Sequence, residues 1–420
     1  PRSHLYRFPA HPAVTMNILI IHNSYQQPGG EDVVVDQETR LLERNGHKVS
    51  VYKRSNDEID HLSFGQRLGL ISRMVSAGDT KDAVRRLLRD FNPDVVHVHN
   101  TFLMVSPSVY EVCQEEGVPV VQTLHNYRLL CPASTLYREN EPCEECVTHT
   151  LLRSVRRGCY RDSRLMSAAI ALMLQTHRSR QTWERQIDAY VAISSFVREK
   201  FVQTGLPAGK ISVKPNFVDP DPGERSDHGD YALFVGRLSP EKGLLTLLQA
   251  WERLPSAVPV VIAGDGPMRP QLEAEVARKR LSRVHFAGRL RRQEAYDAIK
   301  KAAFLVVPSI WYEPFGLVVA EGFACGTPVL GASVGGIEEM LEDQVTGLHF
   351  TPGDPEELAK KVAWAWTHAT ELAEMGKAAR RVYEDRYTAN TNYDLLMRIY
   401  DSAIESHARF KPNRSHRAAA

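Results

Sequence analysis

The chain reads as an α/β protein built from two Rossmann-like domains in tandem, and three observations predict it. Short apolar runs of strand length alternate with segments of helical period from residue 16 to about residue 350. That rhythm breaks once, in a proline- and charge-rich stretch at 215–230, and then restarts. At 420 residues the chain is long for one domain and comfortable for two. Strands that alternate with helices imply βαβ units and a parallel sheet.

The elements follow in order. Residues 16–22 (MNILIIH) form an apolar run of the kind that makes a buried parallel strand. A helical pattern at 33–45 ends at Gly46, and 49–52 is a second strand. Residues 94–99 (DVVHVH), 118–124 (VPVVQTL), 189–193 (AYVAI) and 211–214 continue the series. After the break, strands are expected at 231–235 (YALFV), 258–263, 284–286, 303–307 (AFLVV), 327–330 and 348–350. From 355 to about 407 the pattern is helical. The expected organisation is a first domain at 16–215 with a cysteine-rich insert at about 126–164, a linker at 216–230, a second domain at 231–385, and a helix at 386–410 that returns to the first domain. Residues 1–15 precede a natural-looking start and read as vector-derived; Ala418–Ala420 read similarly. In such an arrangement ligands bind in the cleft, at the carboxyl ends of the strands.

Composition narrows the function classes. Hydrophobic residues make up 43% and charged residues 25%, which suits a chain with a large core. A formal net charge of +1 makes no global case for nucleic acid. No apolar run approaches the roughly 18 residues of a membrane span, and no export signal is visible, so a reducing cytoplasm is expected.

The second half carries the sharpest motifs. Its first strand runs into Gly236-Arg237-Leu238-Ser239-Pro240-Glu241-Lys242-Gly243, which puts two cations in a loop that opens a helix. Fixed cations beside a helix N-terminus suit a pyrophosphate, although a solvated surface loop has the same letters. Gly264-Asp265-Gly266-Pro267 is a tight turn after the next strand. The segment Pro308-Ser309-Ile310-Trp311-Tyr312-Glu313-Pro314-Phe315-Gly316-Leu317-Val318-Val319-Ala320-Glu321-Gly322 follows a further strand. Pro314 ends regular structure and Gly316 opens a helix, so the amides of Phe315, Gly316 and Leu317 lie at an anion-binding helix N-terminus. Glu313 before that helix and Glu321 within it bracket the site.

In the first half, Gln27-Pro28-Gly29-Gly30-Glu31-Asp32 offers backbone amides after the first strand. Leu124-His125-Asn126-Tyr127 puts a histidine at a strand end. His97 and His99 share one face of their strand, and core packing is the better reading for both.

Taken in this order and at strand ends, the GRLSPEKG segment, the GDGP turn and the E-x7-E block strongly resemble the retaining GT-B glycosyltransferases of glycosyltransferase family 4. The resemblance extends over essentially the whole chain from Met16. It implies a GT-B fold, with an acceptor-side first domain and a donor nucleotide-sugar second domain. Arg237 and Lys242 would hold the donor diphosphate, Glu321 the ribose, and Glu313 the transferred sugar. The amides of Phe315, Gly316 and Leu317 would face phosphates or sugar, Gly264 would belong to the donor site, and Arg289 and Leu290 would lie near the nucleobase. Gly29 and Gly30 match the family's glycine-rich loop, and His125 stands where members place a histidine beside the donor sugar. Gly322 departs from the usual alanine.

The implied reaction moves a sugar from a nucleotide diphosphate donor, UDP- or GDP-linked, to an acceptor hydroxyl in polysaccharide, glycolipid or other glycoconjugate biosynthesis. No Asp-x-Asp stands in a suitable strand-end loop; Asp219-Pro220-Asp221 falls in the linker. Catalysis is therefore expected to need no divalent cation, since fixed cations and helix amides neutralise the diphosphate. With no clear carboxylate nucleophile in the first domain, the resemblance implies that the leaving phosphate takes the acceptor's proton on the same face. A sugar-nucleotide epimerase, or a GT-B protein that binds nucleotide-sugar without transfer, is the alternative reading.

Two features stand outside this core. Cys131, Cys143, Cys146 and Cys159 follow C-x11-C-x2-C-x12-C spacing, which suits a structural zinc; an iron–sulfur cluster, disulfides or free thiols stay open. Cys113 and Cys325 read as buried and inert. Arg153, Arg156, Arg157, Arg161 and Arg164 then precede the apolar run 165–174. That combination suits an interfacial patch for anionic lipid at the inner membrane face, although a partly buried helix with a solvated basic end is the better reading.

Overall fold

The computed structural model describes residues 15–26, 29–61, 69–254 and 258–410. The segment before Met16, the Ala418–Ala420 tail and Pro28 of the glycine-rich loop lie wholly or largely outside those residues. Two six-stranded parallel sheets form the two domains.

The first sheet contains β1 (Asn17–Ser24), β2 (Lys48–Ser55), β3 (Val95–Val98) and β4 (Val120–Leu124). After a small antiparallel ribbon of β5 (Tyr137–Arg138) and β6 (Glu141–Pro142), it is completed by β7 (Ala189–Ala192) and β8 (Ile211–Val213). The spatial order is β2-β1-β3-β4-β7-β8. The second sheet contains β9 (Ala232–Val235), β10 (Val260–Ala263), β11 (Val284–Gly288), β12 (Phe304–Val307), β13 (Val329–Ala332) and β14 (Gly347–Phe350). Its order is β11-β10-β9-β12-β13-β14. Counted within the domain this is 3-2-1-4-5-6, the doubly wound dinucleotide-binding order. The α/β class and the two-sheet GT-B architecture are therefore as the sequence predicts.

The strands read as continuous apolar runs because they are covered on both faces. Ile18, Leu19, Ile20 and Ile21 of β1 are all fully buried. Helices supply the covering layers, and one of them comes from far along the chain. Leu396, Met397, Tyr400 and Ala403, on the helix Ala389–Phe410, pack with Ile18 and Ile20 of β1, Val95, Val121 and Val191. His97 lies fully buried under this helix and shares a hydrogen bond with Tyr400 Oη at 2.8 Å.

Strand order places the ligand crevice. The second sheet reverses direction between β9 and β12, and the first between β1 and β3. A crevice opens beyond the carboxyl ends of strands at such a reversal. The linker between the domains is tied down: Asp219 pairs with Arg44 at 2.5 Å and Asp221 with Arg380 at 2.6 Å. Both carboxylates of the one Asp-x-Asp in this stretch are thus engaged by arginines.

Candidate functional site

On the second domain, two loops converge at the reversal. After β9 the chain passes Gly236 and Arg237, makes a single turn at Pro240–Lys242, and enters the helix Leu244–Glu252. After β12 it passes Ser309 to Phe315 and enters the helix Leu317–Ala324, with Gly316 as its N-cap at φ +91°. The positive φ is why this cap is glycine. Packing leaves no slack beneath these loops. A Cβ on Gly264 would lie 1.8 Å from the Gly236 carbonyl oxygen, and one on Gly243 would lie 1.8 Å from that of Pro308. The GDGP turn therefore works as a brace that lets the β9 and β10 loops touch.

Glu313 is buried at the junction of these loops. Its Oε2 accepts from Lys242 Nζ at 2.7 Å, Trp311 Nε1 at 2.9 Å and Ser309 Oγ at 3.1 Å. Three donors on one oxygen hold the carboxylate in one orientation. Its backbone is fixed as well, because Gly336 N–H donates to the Glu313 carbonyl at 2.7 Å. Lys242 is thus paired with Glu313 here, whereas Arg237 stands exposed.

Glu321 lies about one turn into the second helix, half-buried. Burial pushes its carboxyl up to about 7, and the Arg292 guanidinium opposes this. Arg289 is exposed and Leu290 half-buried at the carboxyl end of the edge strand β11. The sequence reading did not single out Arg292. Its signal was a cation in the first turn of the helix after β11, one turn from the residues that were chosen.

The first domain faces this constellation. Gly29 caps the helix Gly30–Arg44, which begins directly after the β1 loop. A Cβ on Gly30 would come within 4.0 Å of Leu317 Cδ2, so the glycine-rich loop and the Gly316 helix meet across the cleft. His125 follows β4, is 9% exposed and shares a hydrogen bond with His99 at 2.9 Å. The two rings stack at 5.2 Å. Burial, reinforced by neighbouring His22, Lys214 and His97, holds His125 well below the usual imidazole range. It is therefore a neutral ring with one nitrogen committed to His99.

Nothing in the sequence assigns Glu31 a role. It occupies the first turn of the helix behind the glycine-rich loop, where Oε2 accepts from Asn126 Nδ2 at 3.1 Å and buried Oε1 has no hydrogen-bond partner among the described residues. Burial, with the Asp32 charge adding, pushes it up to about 8. Its position directly after Gly29 and Gly30 was the available signal.

Contacts hold the domains face to face. Ser194 Oγ donates to the Pro314 carbonyl at 2.6 Å. Glu339 of the second domain accepts the backbone N–H groups of Ser195 and Phe196 at 3.0 Å each. It thereby caps the N-terminus of the first-domain helix Ser195–Gln203.

Two family models match the chain: "Glycosyl transferases group 1" over residues 219–382 and "Glycosyltransferase Family 4" over residues 28–222. The chain thus carries two glycosyltransferase family domains, which between them span residues 28–382. Among relatives of this glycosyltransferase, the O-antigen chain mannosyltransferase C of Escherichia coli is 32% identical over 185 residues, 43% of this chain and 49% of that protein. The chain thus aligns with about half the length of that relative. A D-inositol 3-phosphate glycosyltransferase of Mycobacteroides abscessus is 27% identical over 94% of both chains. Two solved structures share the fold. Anabaena HepE, in complex with UDP and glucose, has a TM-score of 0.66 at 20% identity, covering 92% of this chain and 100% of that one. Sucrose-phosphate synthase from Thermosynechococcus elongatus has a TM-score of 0.71 at 19% identity, covering 93% and 100%.

The cysteines of this glycosyltransferase are all free thiols. Cys131, Cys143, Cys146 and Cys159 gather in one neighbourhood: burial pushes Cys146 up to about 11, and the other three thiols add to it. They do not sit at ligand spacing. Among the described residues, three metal-ligating side chains within 4.8 Å of one another occur at Glu38, His97 and His99, not among these cysteines. A zinc tetrahedron with Zn–S of about 2.3 Å would bring the sulfurs to about 3.8 Å. The buried trio offers no free donor set for a metal. Lys214 Nζ stands 3.3 Å from Glu38, and both His97 nitrogens are engaged, by Tyr400 and Thr123. Cys113 and Cys325 are buried in helical surroundings, as expected.

Proposed function

We propose that this glycosyltransferase moves a sugar from a nucleotide diphosphate donor to an acceptor hydroxyl with retention of configuration and without a catalytic divalent cation. The observation that carries this reading is the Lys242–Glu313 pair, set where the N-terminus of the Leu317–Ala324 helix meets the glycine-rich loop of the opposite domain. A diphosphate entering between Arg237 and the Gly316 cap meets one exposed cation, one paired cation and unsatisfied helix amides. Lys242 is the pivot. An arriving phosphate competes for its ammonium and leaves Glu313 an acceptor for sugar hydroxyls.

The assignments follow from position. Glu321 would take the ribose, Arg289 and Leu290 the base end, and Gly264 would brace the phosphate loop. Gly29 and Gly30 would approach from the acceptor side, and neutral His125 would donate to or accept from a sugar hydroxyl. The leaving phosphate takes the acceptor proton, so the protein supplies alignment and charge stabilisation. A UDP- or GDP-sugar is the expected donor, and the reading draws support from relatives whose names describe sugar transfer. The Anabaena fold neighbour was solved with UDP-glucose.

For the four-cysteine insert the proposal is a structural zinc, carried by the C-x11-C-x2-C-x12-C sequence spacing and the gathering of the thiols, which would have to draw in to ligand distance on binding it. Metal analysis of purified protein tests it, and metal-free wild type overturns it. For the reaction, the test is thermal stabilisation by a panel of UDP-, GDP- and ADP-sugars with and without EDTA, followed by assay of transfer. A single strong, chelator-insensitive stabiliser that is also turned over is the expected result. Stabilisation abolished by EDTA overturns metal independence, and binding without transfer to any acceptor favours a binding protein.

A further inference from the structure

The insert presents a surface that the transfer reaction does not use. The helix Leu152–Arg157 packs against the helix Arg164–Ser179, and together they display Leu152, Leu165 and Leu172 at 67%, 69% and 54% exposure. These are the large exposed leucines among the described residues. Leu165 and Leu172 are seven residues apart, so they share one face of their helix. Exposing three leucines together is costly unless something apolar covers them.

The rim of this surface is basic. Between Leu151 and Leu165 the chain has five arginines and one acid, Asp162. Arg153 and Arg157 are engaged by Glu145, at 3.6 and 2.7 Å. Arg156 and Arg164 are exposed and make no ion pair among the described residues. Exposed leucines beside two unpaired arginines match an interface with acyl chains below and anionic headgroups above. A protein partner would need a dedicated acidic ring, whereas an anionic bilayer supplies it everywhere.

The patch continues into the cleft wall. Arg161 Nη2 donates to Gln26 Oε1 at 3.1 Å, beside the glycine-rich loop. Tyr160 packs edge-on against Phe102 at 5.7 Å, and the Arg128 guanidinium lies 4.1 Å over the Phe102 ring. Arg128 in turn acts on the charge of Glu31. Among the described residues no helix is long and apolar enough to cross a membrane.

We propose that the face formed by the helices Leu152–Arg157 and Arg164–Ser179 docks on an anionic lipid surface, with the acceptor side of the cleft turned toward that surface. The docking stands independently of the transfer reading; only its consequence, an acceptor carried on a lipid, rests on that reading.

The test is co-sedimentation of the full chain with vesicles of phosphatidylcholine plus phosphatidylglycerol, against vesicles of phosphatidylcholine alone. Binding should require the anionic lipid and fall with added salt. Each arginine near such a surface contributes on the order of fivefold in partition, so Arg156→Glu with Arg164→Glu should lower binding at least roughly tenfold. Leu165→Ser with Leu172→Ser should lower it comparably. Both double variants should melt as wild type does and keep the same stabilisation by donor sugars. Equal binding to both vesicle types, or undiminished binding by both variants, overturns the proposal. So does a dimer in gel filtration that Leu165→Ser with Leu172→Ser dissociates, because the leucines would then cover one another. Loss of donor binding in the wild type would sink the transfer reading and leave the docking result untouched.

Discussion

Glu313 shows how much one carboxylate depends on its surroundings. Three donors meet its Oε2, and one is the ammonium of Lys242. Glu313→Ala should lower kcat by roughly 10²- to 10³-fold, the usual loss when a preorganised group is removed from a transfer site. The melting temperature should change little, and a variant with wild-type turnover would remove Glu313 from the site. Lys242→Ala should raise the donor Kd; calorimetry with UDP- and GDP-sugars checks this. Glu321 gives a pH signature. Its folded value is raised to about 7 from an ordinary 4.5, so the native state holds its proton more tightly than the unfolded chain does. The stabilisation this confers is complete below about pH 4.5 and is lost as pH rises to about 7. Glu321→Gln should flatten that stretch of the stability profile, measured by urea melts across the range. A ribose hydroxyl prefers the ionised carboxylate, so donor affinity should rise with pH through about 7 in wild type but not in Glu321→Gln. Glu321 as a helix carboxylate was legible in the sequence. Its raised value was not, because burial comes from residues distant in the chain.

Among elements, the strand-end loops of the second domain are packed without slack at Gly243 and Gly264. Gly264 sits at φ +141° with the Gly236 carbonyl where a Cβ would go, so Gly264→Ala must displace backbone. It should cost about 2 kcal/mol or more of stability and lower donor affinity with it. Urea unfolding beside calorimetry checks both, and a variant as stable as wild type would show that the loops can part. Almost every strand of both sheets was readable, because parallel strands buried on both faces leave unbroken apolar runs. The boundaries moved slightly: the run at 94–99 became Val95–Val98, and the run ending at Phe286 extended to Gly288. The insert was read least well. Its two-residue strands and its helix of four residues, Glu145–Thr148, are too short to leave a period.

At the scale of the whole molecule, the site exists only because two domains face each other. Glu339 reaches across to cap the Ser195–Gln203 helix, and Ser194 binds the Pro314 carbonyl just ahead of the Gly316 cap. Glu339→Ala should loosen this clasp by about 1 kcal/mol, the worth of a helix cap. Because the clasp sits on the segment that carries Glu313, kcat should fall while each domain keeps its fold. Solution scattering should show a larger radius of gyration, and unchanged scattering with unchanged kcat would mean that the clasp is not used in closure. The sequence reading chose residues on both domains but had no means of pairing them. The approach of Gly30 to Leu317 spans nearly three hundred positions and follows from domain packing.

From residue types and spacing alone, the chain determined its two α/β domains, the loops at the ends of β9, β10 and β12, and the carboxylates and cations those loops carry. These are local consequences: an apolar run, a glycine at positive φ or a proline before a helix acts within a few residues of itself. Tertiary structure decided the rest. It joined Lys242 to Glu313 and His125 to His99, raised Glu31 and Glu321 by burial, and left the thiols of the insert gathered but short of ligand spacing. It also turned Leu152, Leu165 and Leu172 outward together. Each of these depends on which distant segments exclude water from a given atom, and no window of sequence contains that information.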